Sequence, residues 1–461
     1  MRLLLLGVGA VALAACGSED ETKSAYPDKD PFPSTYQPYP SENLIIVGAT
    51  ILTGTGEKIE NGVVTVMNGE IASVGPAANI REPKGFTKID ATGKIITPGI
   101  IDLHSHLGVY PSPSNRSTSD GNEATSPNTA GVWAEHSIYP QDPGFGRALA
   151  GGVTSLHVMP GSANLFGGRT VTLKNVPSRT VQGMKFPDAP YGIKMACGEN
   201  PKRVYASRGP ATRMGNFKGY REAWIGAKAY KQEWDGYARK VADGEGGKAP
   251  SRDLSKETLA GVLDGDIIVH MHCYRGDEMV NVLDMAEEFG YKVGTFHHAI
   301  EAYKVADYLA ENEVCAAVWA DWWGFKFEAY DSVRANAALV ANQPGGCVVI
   351  HSDDGVGIQR LNQEAAKAMA DGRKIGIDFK PEEVITWITA NPAKAAGIID
   401  ETGTLEAGKD ADFVIWDTDP FSVYARPEQV YVDGALMFDR EDTANQPVFD
   451  FELGQAGRED V

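Results

Sequence analysis

The sequence has few cysteines, no long membrane-spanning run and no excess of basic residues. Five cysteines occur in 461 residues, and none forms a closely spaced pair, which argues against a disulfide framework. Four of them sit in or beside apolar, strand-like runs, and we expect these to be buried free thiols: Cys197, Cys273, Cys315 and Cys347. The formal net charge of -19 argues against nucleic acid or an anionic membrane surface as the main partner, because both would repel the chain.

The start of the chain has the pattern of an export signal. An apolar run at residues 3–14 follows Arg2 and is too short to span a bilayer permanently. It ends in Leu13-Ala14-Ala15-Cys16-Gly17, which resembles a bacterial lipoprotein cleavage box. The resemblance implies a signal peptide at residues 1–16, a lipid on Cys16 and, from Ser18, an outer-membrane location facing the periplasm. The alternative is a plain secretory signal with an incidental cysteine.

The composition then divides the chain into segments. Residues 17–43 are polar and proline-rich, which predicts a disordered or extended tether. Residues 44–95 and 402–445 are rich in short β-branched runs, with the hairpin signal Asn68-Gly69 between two of them. These two ends are expected to pair into one small β-sandwich domain, followed by a tail at residues 446–461.

The middle of the chain, residues 96–401, alternates short apolar runs with helix-like stretches. Residues 277–290 show helical periodicity and end at Gly290. Strand–helix alternation over about 300 residues predicts an α/β fold, a parallel (β/α)8 barrel of the TIM type.

Histidines cluster at the ends of the apolar runs. His104 and His106 follow Pro98-Gly99-Ile100-Ile101-Asp102, and period-two geometry places both side chains on one face. At the carboxyl end of a barrel strand that face is the active-site mouth, and two converging imidazoles form half of a metal site. Seven of the nine histidines in the chain fall on four such strand ends, together with Asp353. Besides His104 and His106, these histidines are His270, His272, His297, His298 and His351.

These motifs resemble the amidohydrolase superfamily, in its imidazolonepropionase-like and prolidase-like branch. The resemblance covers nearly all of the chain after the signal. It depends most on the segment from Pro98 to His106 and on Gly403-Thr404-Leu405-Glu406-Ala407-Gly408-Lys409-Asp410-Ala411-Asp412, with weaker support from Ile350-His351-Ser352-Asp353.

The resemblance implies a set of metal ligands. His104 and His106 match the pair on barrel strand one, His272 the ligand on strand five, and His298 the ligand on strand six. Asp353 matches the strand-eight carboxylate, which binds metal and acts as the catalytic acid and base. We expect His270 to pack beneath His272, and His297 to point away from the site in a structural role.

A bridging ligand is also implied, because two-metal members use a carboxylated lysine or a glutamate on strand three or four. Lys194 lies in mid-strand and Glu199 just beyond the strand end. Both stay open at this point, with a slight preference for Glu199. Imidazole and carboxylate ligands suit one or two divalent ions, above all zinc, with manganese, cobalt or iron as alternatives.

The predicted function is metal-dependent hydrolysis of an amide or peptide C–N bond, of dipeptides or N-acyl amino acids, in the cell envelope. Arg203 could hold a substrate carboxylate, and His351 could bind substrate or support the site. A cyclic-amide or lactone hydrolase is the alternative within enzymes, since the fold does not fix the substrate. A catalytically idle envelope binding lipoprotein is the alternative of another class. The expected partner is a small molecule, with membrane contact only through the lipid, and a homo-oligomer is allowed.

Overall fold

We describe the fold from a computed structural model, which covers residues 25–81, 83–330, 332–443 and 446. The predicted signal peptide, Cys16 and nearly all of the predicted tail lie outside these residues. Two eight-stranded sheets organise the described chain. None of its helices is both long enough and apolar enough to cross a membrane.

The first sheet is built from both ends of the chain, as predicted. Asn68 and Gly69 form the expected hairpin between two antiparallel strands, each with a positive φ, of 55° and 88°. All eight strands are hydrogen-bonded into one branched sheet. They are β1 (Leu44–Leu52), β2 (Lys58–Met67), β3 (Glu70–Pro76), β4 (Thr87–Asp90), β5 (Ile95–Pro98), β14 (Phe413–Trp416), β15 (Pro427–Val432) and β16 (Ala435–Asp439).

The second sheet is the barrel, and it runs in chain order from its first strand to its eighth. Its strands are β6 (Ile100–Ser105), β7 (Val153–Val158), β8 (Phe166–Lys174), β9 (Gly192–Ala196), β10 (Ile268–His272), β11 (Val293–His297), β12 (Cys315–Val318) and β13 (Val348–Ile350). The third strand, β8, is antiparallel to both of its neighbours, whereas the other pairings are parallel. The prediction of a TIM-like barrel is confirmed, with one reversed strand that the alternation pattern did not reveal.

The last strand lies beside the first and nearly closes the barrel. The Asp353 amide donates to the carbonyl oxygen of His104 at 3.0 Å, and the Ser352 amide donates to the Asp102 carboxylate at 3.0 Å. The buried Asp102 carboxylate also accepts the Ser352 hydroxyl. These bonds bring the segment after β13 against the end of β6, so that Asp353 lies next to the strand-one histidines.

Helices cover the parallel part of the barrel. No helix separates β7, β8 and β9 from one another in the chain, so helices α2, α3 and α4 all follow β9. The α-helices of the described residues are α1 (Pro143–Ala150), α2 (Glu199–Val204), α3 (Arg213–Ala242), α4 (Leu254–Asp264), α5 (Gly276–Phe289), α6 (Ala306–Glu311), α7 (Asn336–Ala341), α8 (Leu361–Lys374), α9 (Pro381–Val384) and α10 (Ala390–Ala396).

The described part of the proline-rich segment, residues 25–43, contains no helix or strand and is bound to the barrel. Asp30 accepts two hydrogen bonds of 2.9 Å from the buried Lys185 amine, and Tyr36 is buried and donates to Asp433. A cavity of about 520 Å³ lies between this segment, α3 and α4, and none of the predicted site residues lines it. From residue 25 onward the segment therefore covers the wall of the barrel and is not a free tether.

A buried ion cluster joins the two sheets. Lys174, at the end of β8, contacts three aspartates of the β domain, namely Asp410 at 2.7 Å, Asp412 at 3.8 Å and Asp433. Burial alone would lower the pKa of Lys174, but the three carboxylates raise it above its ordinary value. The lysine is therefore charged, and it fixes the β domain against the barrel.

The prediction of free thiols is wrong. Cys197 is bonded to Cys273, and Cys315 is bonded to Cys347. The members of each pair are 76 and 32 residues apart in the sequence, so spacing did not reveal them. They meet because they occupy matching ends of neighbouring strands, β9 with β10 and β12 with β13.

Candidate metal centre

The strand-one histidines converge as predicted. His106 Nδ1 lies 2.8 Å from the carbonyl oxygen of Met159, to which it donates, so its Nε2 is the ring nitrogen that faces the site. That Nε2 lies 3.3 Å from Nε2 of His104. The two ring nitrogens therefore face the same small volume at the carboxyl end of β6.

Asp353 completes this corner of the site. Its Oδ1 lies 3.0 Å from His106 Nε2 and 3.5 Å from His104 Nε2, and its Oδ2 lies 3.8 Å from His298 Nε2. Its backbone has a positive φ of 54°, which turns the side chain back over the barrel. Burial would raise the pKa of Asp353, but the hydrogen bond with His106 and the nearby charges hold it below its ordinary value.

Lys194, rather than Glu199, lies among the histidines. Its amine is fully buried, 3.2 Å from His104 Nε2 and 3.2 Å from the carbonyl oxygen of Pro160. Glu199 begins α2, and its buried Oε1 has no hydrogen-bond partner. Lys194 reaches the cluster from the middle of β9, whereas Glu199 lies beyond the strand end, so the geometry favours Lys194 over the slight preference for Glu199.

His272 and His298 line the opposite side of the same volume. His298 has a positive φ of 55°, and its ring centroid lies 4.4 Å from that of His104. His272 is 5.0 Å from His298 between ring centroids, and its Nε2 lies 3.2 Å from the Asn200 amide. The Nδ1 atoms of both histidines are buried without a hydrogen-bond partner.

His351 is buried against the same group, in accordance with a supporting role. Its ring lies 5.2 Å from His104 and 4.7 Å from His298, and neither of its nitrogens has a hydrogen-bond partner. A nitrogen of His351 can approach those of His104 and His298 to within 4.8 Å, the spacing of a metal-binding group.

A chain of histidines continues below the site into the barrel. His104 Nδ1 lies 2.9 Å from His297 Nδ1, and His297 Nε2 lies 3.0 Å from His270 Nδ1. His157, which the sequence analysis missed, packs 4.4 Å from His270 and lies 2.9 Å from Thr172 Oγ1. The expectation that His297 points away is wrong. The left-handed backbone at His298 breaks the period-two rule, so both neighbours face inward.

The donor set fits a divalent metal. Burial lowers the pKa of His104, His272 and His298 well below the ordinary histidine value, so these rings are neutral and can act as ligands. Buried nitrogens without partners, beside a carboxylate, are otherwise costly. Mixed imidazole and carboxylate donors are those that zinc and similar ions prefer.

The mouth of the site contains Lys326, which the sequence did not identify, beside Trp319 and the predicted Arg203. Lys326, on the loop after β12, donates to the Tyr274 hydroxyl at 2.9 Å. Trp319 stacks on His298 with 4.4 Å between ring centroids and 22° between planes. Arg203 is exposed on α2, and its charge acts on both Tyr274, whose pKa is raised by burial, and Lys326, whose pKa is lowered by burial.

Comparison with known proteins places this geometry in a family. Residues 95–444 match the profile described as the amidohydrolase family. The chain is 31% identical over 407 residues to the amidohydrolase tasK of Hapsidospora irregularis, covering 84% of this chain and 40% of that protein. It thus spans about two-fifths of that relative. It is 25% identical over 394 residues to an imidazolonepropionase of Brucella anthropi, covering 78% of this chain and 88% of that one.

Solved structures agree with the sequence relatives. An amidohydrolase from Thermotoga maritima MSB8 is 36% identical, with a TM-score of 0.78, and the match covers 86% of this chain and all of that one. A Xaa-Pro dipeptidase with methionine bound in its active site has a TM-score of 0.50 at 14% identity, over 86% of this chain and 99% of that one. At that identity the likeness shows the fold alone.

Proposed function

Because this chain belongs to the amidohydrolase family, we propose that it is a metal-dependent enzyme that hydrolyses the amide bond of dipeptides or N-acyl amino acids. One observation carries the proposal: the Nε2 atoms of His104 and His106, Asp353 and the Lys194 amine converge within about one metal coordination sphere.

We infer that the site holds one or two divalent ions, with zinc favoured and manganese, cobalt or iron as alternatives. The ligands would be His104, His106, His272, His298 and Asp353. Lys194 would supply the bridge as a carbamate, formed when its neutral amine adds carbon dioxide and loses a proton. Burial lowers the pKa of Lys194 to about 7, so a large share of the amine is uncharged at neutral pH. A bound ion of this kind supplies a Lewis acid and lowers the pKa of bound water.

Asp353 is the proposed catalytic acid and base. Its lowered pKa keeps it ionised at neutral pH, so it can accept a proton from the attacking water and pass it to the departing nitrogen. The bond from the Asp353 amide to the carbonyl oxygen of His104 holds this residue beside His106 for both transfers.

A second candidate is hydrolysis of a cyclic amide. It is favoured by the imidazolonepropionase relative, which this chain matches over 88% of that protein's length. A lactone would need the same centre. A catalytically idle binding lipoprotein is disfavoured, because every predicted ligand side chain except Glu199 lies in the cluster, Asp353 included.

The test is metal analysis combined with a substrate panel. We expect about two equivalents of metal per chain, hydrolysis of dipeptides or N-acyl amino acids, loss of activity on chelation and recovery with added zinc or manganese. Activity on cyclic amides alone would support the second candidate function instead of the first. A protein without metal and without any chelator effect would contradict the proposed mechanism and favour the binding protein.

We also propose export and a lipid anchor at Cys16, which place the enzyme in the cell envelope. The two disulfides support an oxidising compartment. Mass spectrometry of the membrane fraction should find a diacylglyceryl modification on Cys16, and Cys16→Ser should release the protein. If the wild-type protein is found in the soluble fraction, the N-terminal segment is instead a plain secretory signal with an incidental cysteine. A small-molecule partner follows from the chemistry, and a homo-oligomer stays a prediction.

A further inference from the structure

The structure assigns recognition of a substrate carboxylate to Lys326, with an aromatic wall of Trp319 and Trp322 beside it for an apolar side chain. This inference deepens the proposed function and rests on it. It narrows the substrate to amides of an amino acid that has a free α-carboxylate and a bulky apolar or aromatic side chain.

The loop that carries Lys326 is held in place at the mouth. Two residues further on, Glu328 accepts a 2.8 Å hydrogen bond from the Glu199 amide at the start of α2. The bond requires glycine at position 198, where φ is 72° and an added Cβ would come within 2.3 Å of the Glu328 carboxylate. Lys326 is therefore positioned by a defined contact between the loop and α2.

Among the described residues, Lys326 is a partly buried cation without an anionic partner. Its amine has a single hydrogen bond within this part of the chain, to the Tyr274 hydroxyl, although an ammonium group carries three donors. No carboxylate of the described chain lies within the 4.0 Å of an ion pair with it, and Asp353, Glu199 and Glu328 act on it only from further away. A partly buried charge of this kind is stabilised by an anion, and a substrate carboxylate would supply one.

The position of Lys326 fits the reacting centre. Its partner Tyr274 packs against the proposed ligand His272, with 4.6 Å between ring centroids. A carboxylate bound at Lys326 therefore lies one side chain away from the metal ligands, which suits the short distance between a carboxylate and the neighbouring amide of the same amino acid.

The aromatic wall of Trp319 and Trp322 lies against a second proposed metal ligand, His298. Trp319 stacks on His298, and Trp322 stacks on Trp319 with 5.5 Å between centroids and 21° between planes. Phe325 meets the edge of Trp319 at 5.4 Å. This surface would bury an apolar side chain of the residue whose carboxylate is on Lys326, since aromatic faces contribute large apolar area.

The test uses a matched pair of substrates, glycyl-phenylalanine and glycyl-phenylalaninamide, and follows release of glycine. We expect the metal-loaded wild-type protein to favour the acid by about 10- to 100-fold in kcat/KM, the value of a charge-assisted hydrogen bond. Lys326→Met should remove this preference by raising KM for the acid and leave the amide unchanged. Lys326→Arg should retain most of it.

A control lysine separates local from general charge effects. Lys292 precedes β11 at the opposite end of the barrel, and its side chain is 91% exposed, so Lys292→Met should change neither substrate. A Lys326→Met protein that loses both substrates equally, or neither, would overturn the assignment.

A binding measurement keeps the assignment testable even when the dipeptides are not cleaved. Isothermal titration of L-phenylalanine and L-phenylalaninamide should show about tenfold or greater preference for the acid in the wild type and none in Lys326→Met. Absence of hydrolysis with this preference intact would contradict the peptidase proposal but not the carboxylate site. Equal affinities in both proteins would reject the site.

Discussion

Two lysines on neighbouring barrel strands are equally buried and have opposite surroundings. Lys174, on β8, faces the β domain and is surrounded by Asp410, Asp412 and Asp433. Lys194, on β9, faces the barrel interior and meets His104, the Met159 sulfur and a carbonyl oxygen. The carboxylates raise the pKa of Lys174 above its ordinary value, whereas burial among neutral groups lowers that of Lys194 to about 7.

The difference shows that the neighbouring groups, rather than the depth of burial, determine whether a buried lysine amine is charged. A lysine with anionic partners stays charged and joins two domains. A lysine among neutral ring nitrogens is close to losing its proton at neutral pH and becomes a nucleophile. We therefore expect substitutions on the Lys194 side to affect chemistry and those on the Lys174 side to affect folding.

The largest expected effect lies on the Lys194 side, at Asp353. Asp353→Asn keeps the shape of the side chain but removes the proton acceptor, and kcat should fall by about 10²- to 10⁴-fold. Steady-state kinetics at constant metal occupancy is the measurement, with elemental analysis as the control. Full activity with metal bound would contradict the role given to this carboxylate.

Lys174→Met tests the buried lysine that faces the β domain. It leaves three carboxylates together in the interface without their cation, and we expect a loss of about 3–5 kcal/mol in the free energy of unfolding. Urea denaturation followed by circular dichroism measures it. The folded fraction should retain its metal and its activity per molecule.

Lys194→Met is the matched control for Lys174→Met. In the metal-free protein it removes a buried amine that has no ion-pair partner in the described chain, so stability should stay within about 1 kcal/mol of the metal-free wild type or rise. Metal content and activity should fall. A Lys194→Met protein that unfolds as readily as Lys174→Met would remove the distinction between the two lysines.

A smaller effect is expected at His297, beneath the metal centre. With Nε2 of His104 free for a metal, its Nδ1 donates to His297, which fixes the orientation of the ring. His297→Leu should weaken metal binding by about 10- to 100-fold, as measured by competition with a chelator. His157→Leu, further down the same interior, should change metal affinity much less.

The smallest effect concerns pH and Asp412. Burial raises the pKa of its carboxyl to about 7, above the value of about 3.9 in an unfolded chain. The folded state thus holds the extra proton, so this stabilising contribution is complete below pH 4 and is lost as pH rises to 7. Between pH 4 and pH 7 the unfolding temperature of Asp412→Asn should fall less than that of the wild type. If the unfolding temperatures of the two proteins change in parallel with pH, the raised pKa of Asp412 is contradicted.

The strand-one motif and the strand-end histidines were predictable because strand period and barrel topology together bring them to one mouth. The register of His297 and His298 was not, since a single left-handed residue reverses the alternation. The disulfides and the Lys174 cluster join positions that are distant in the sequence. Lys326 depends on how one long loop packs against α2, which no local pattern encodes. The choice between Lys194 and Glu199 needed the position of β9 relative to His104.

With the proposed lipid on Cys16, the attachment of the N-terminal segment would also determine which way the active site faces. Tyr26 donates to Asp235 near the end of α3, and Lys29 contacts Asp266, just before β10 begins. This is the amino end of the barrel strands, opposite the histidines. Tyr26 lies ten positions after Cys16 in the sequence, a reach of at most about 35 Å. A lipid on Cys16 would keep the base of the barrel near the bilayer and turn its opening toward the aqueous compartment. Water-soluble compounds would then enter freely, while molecules embedded in the membrane would be out of reach.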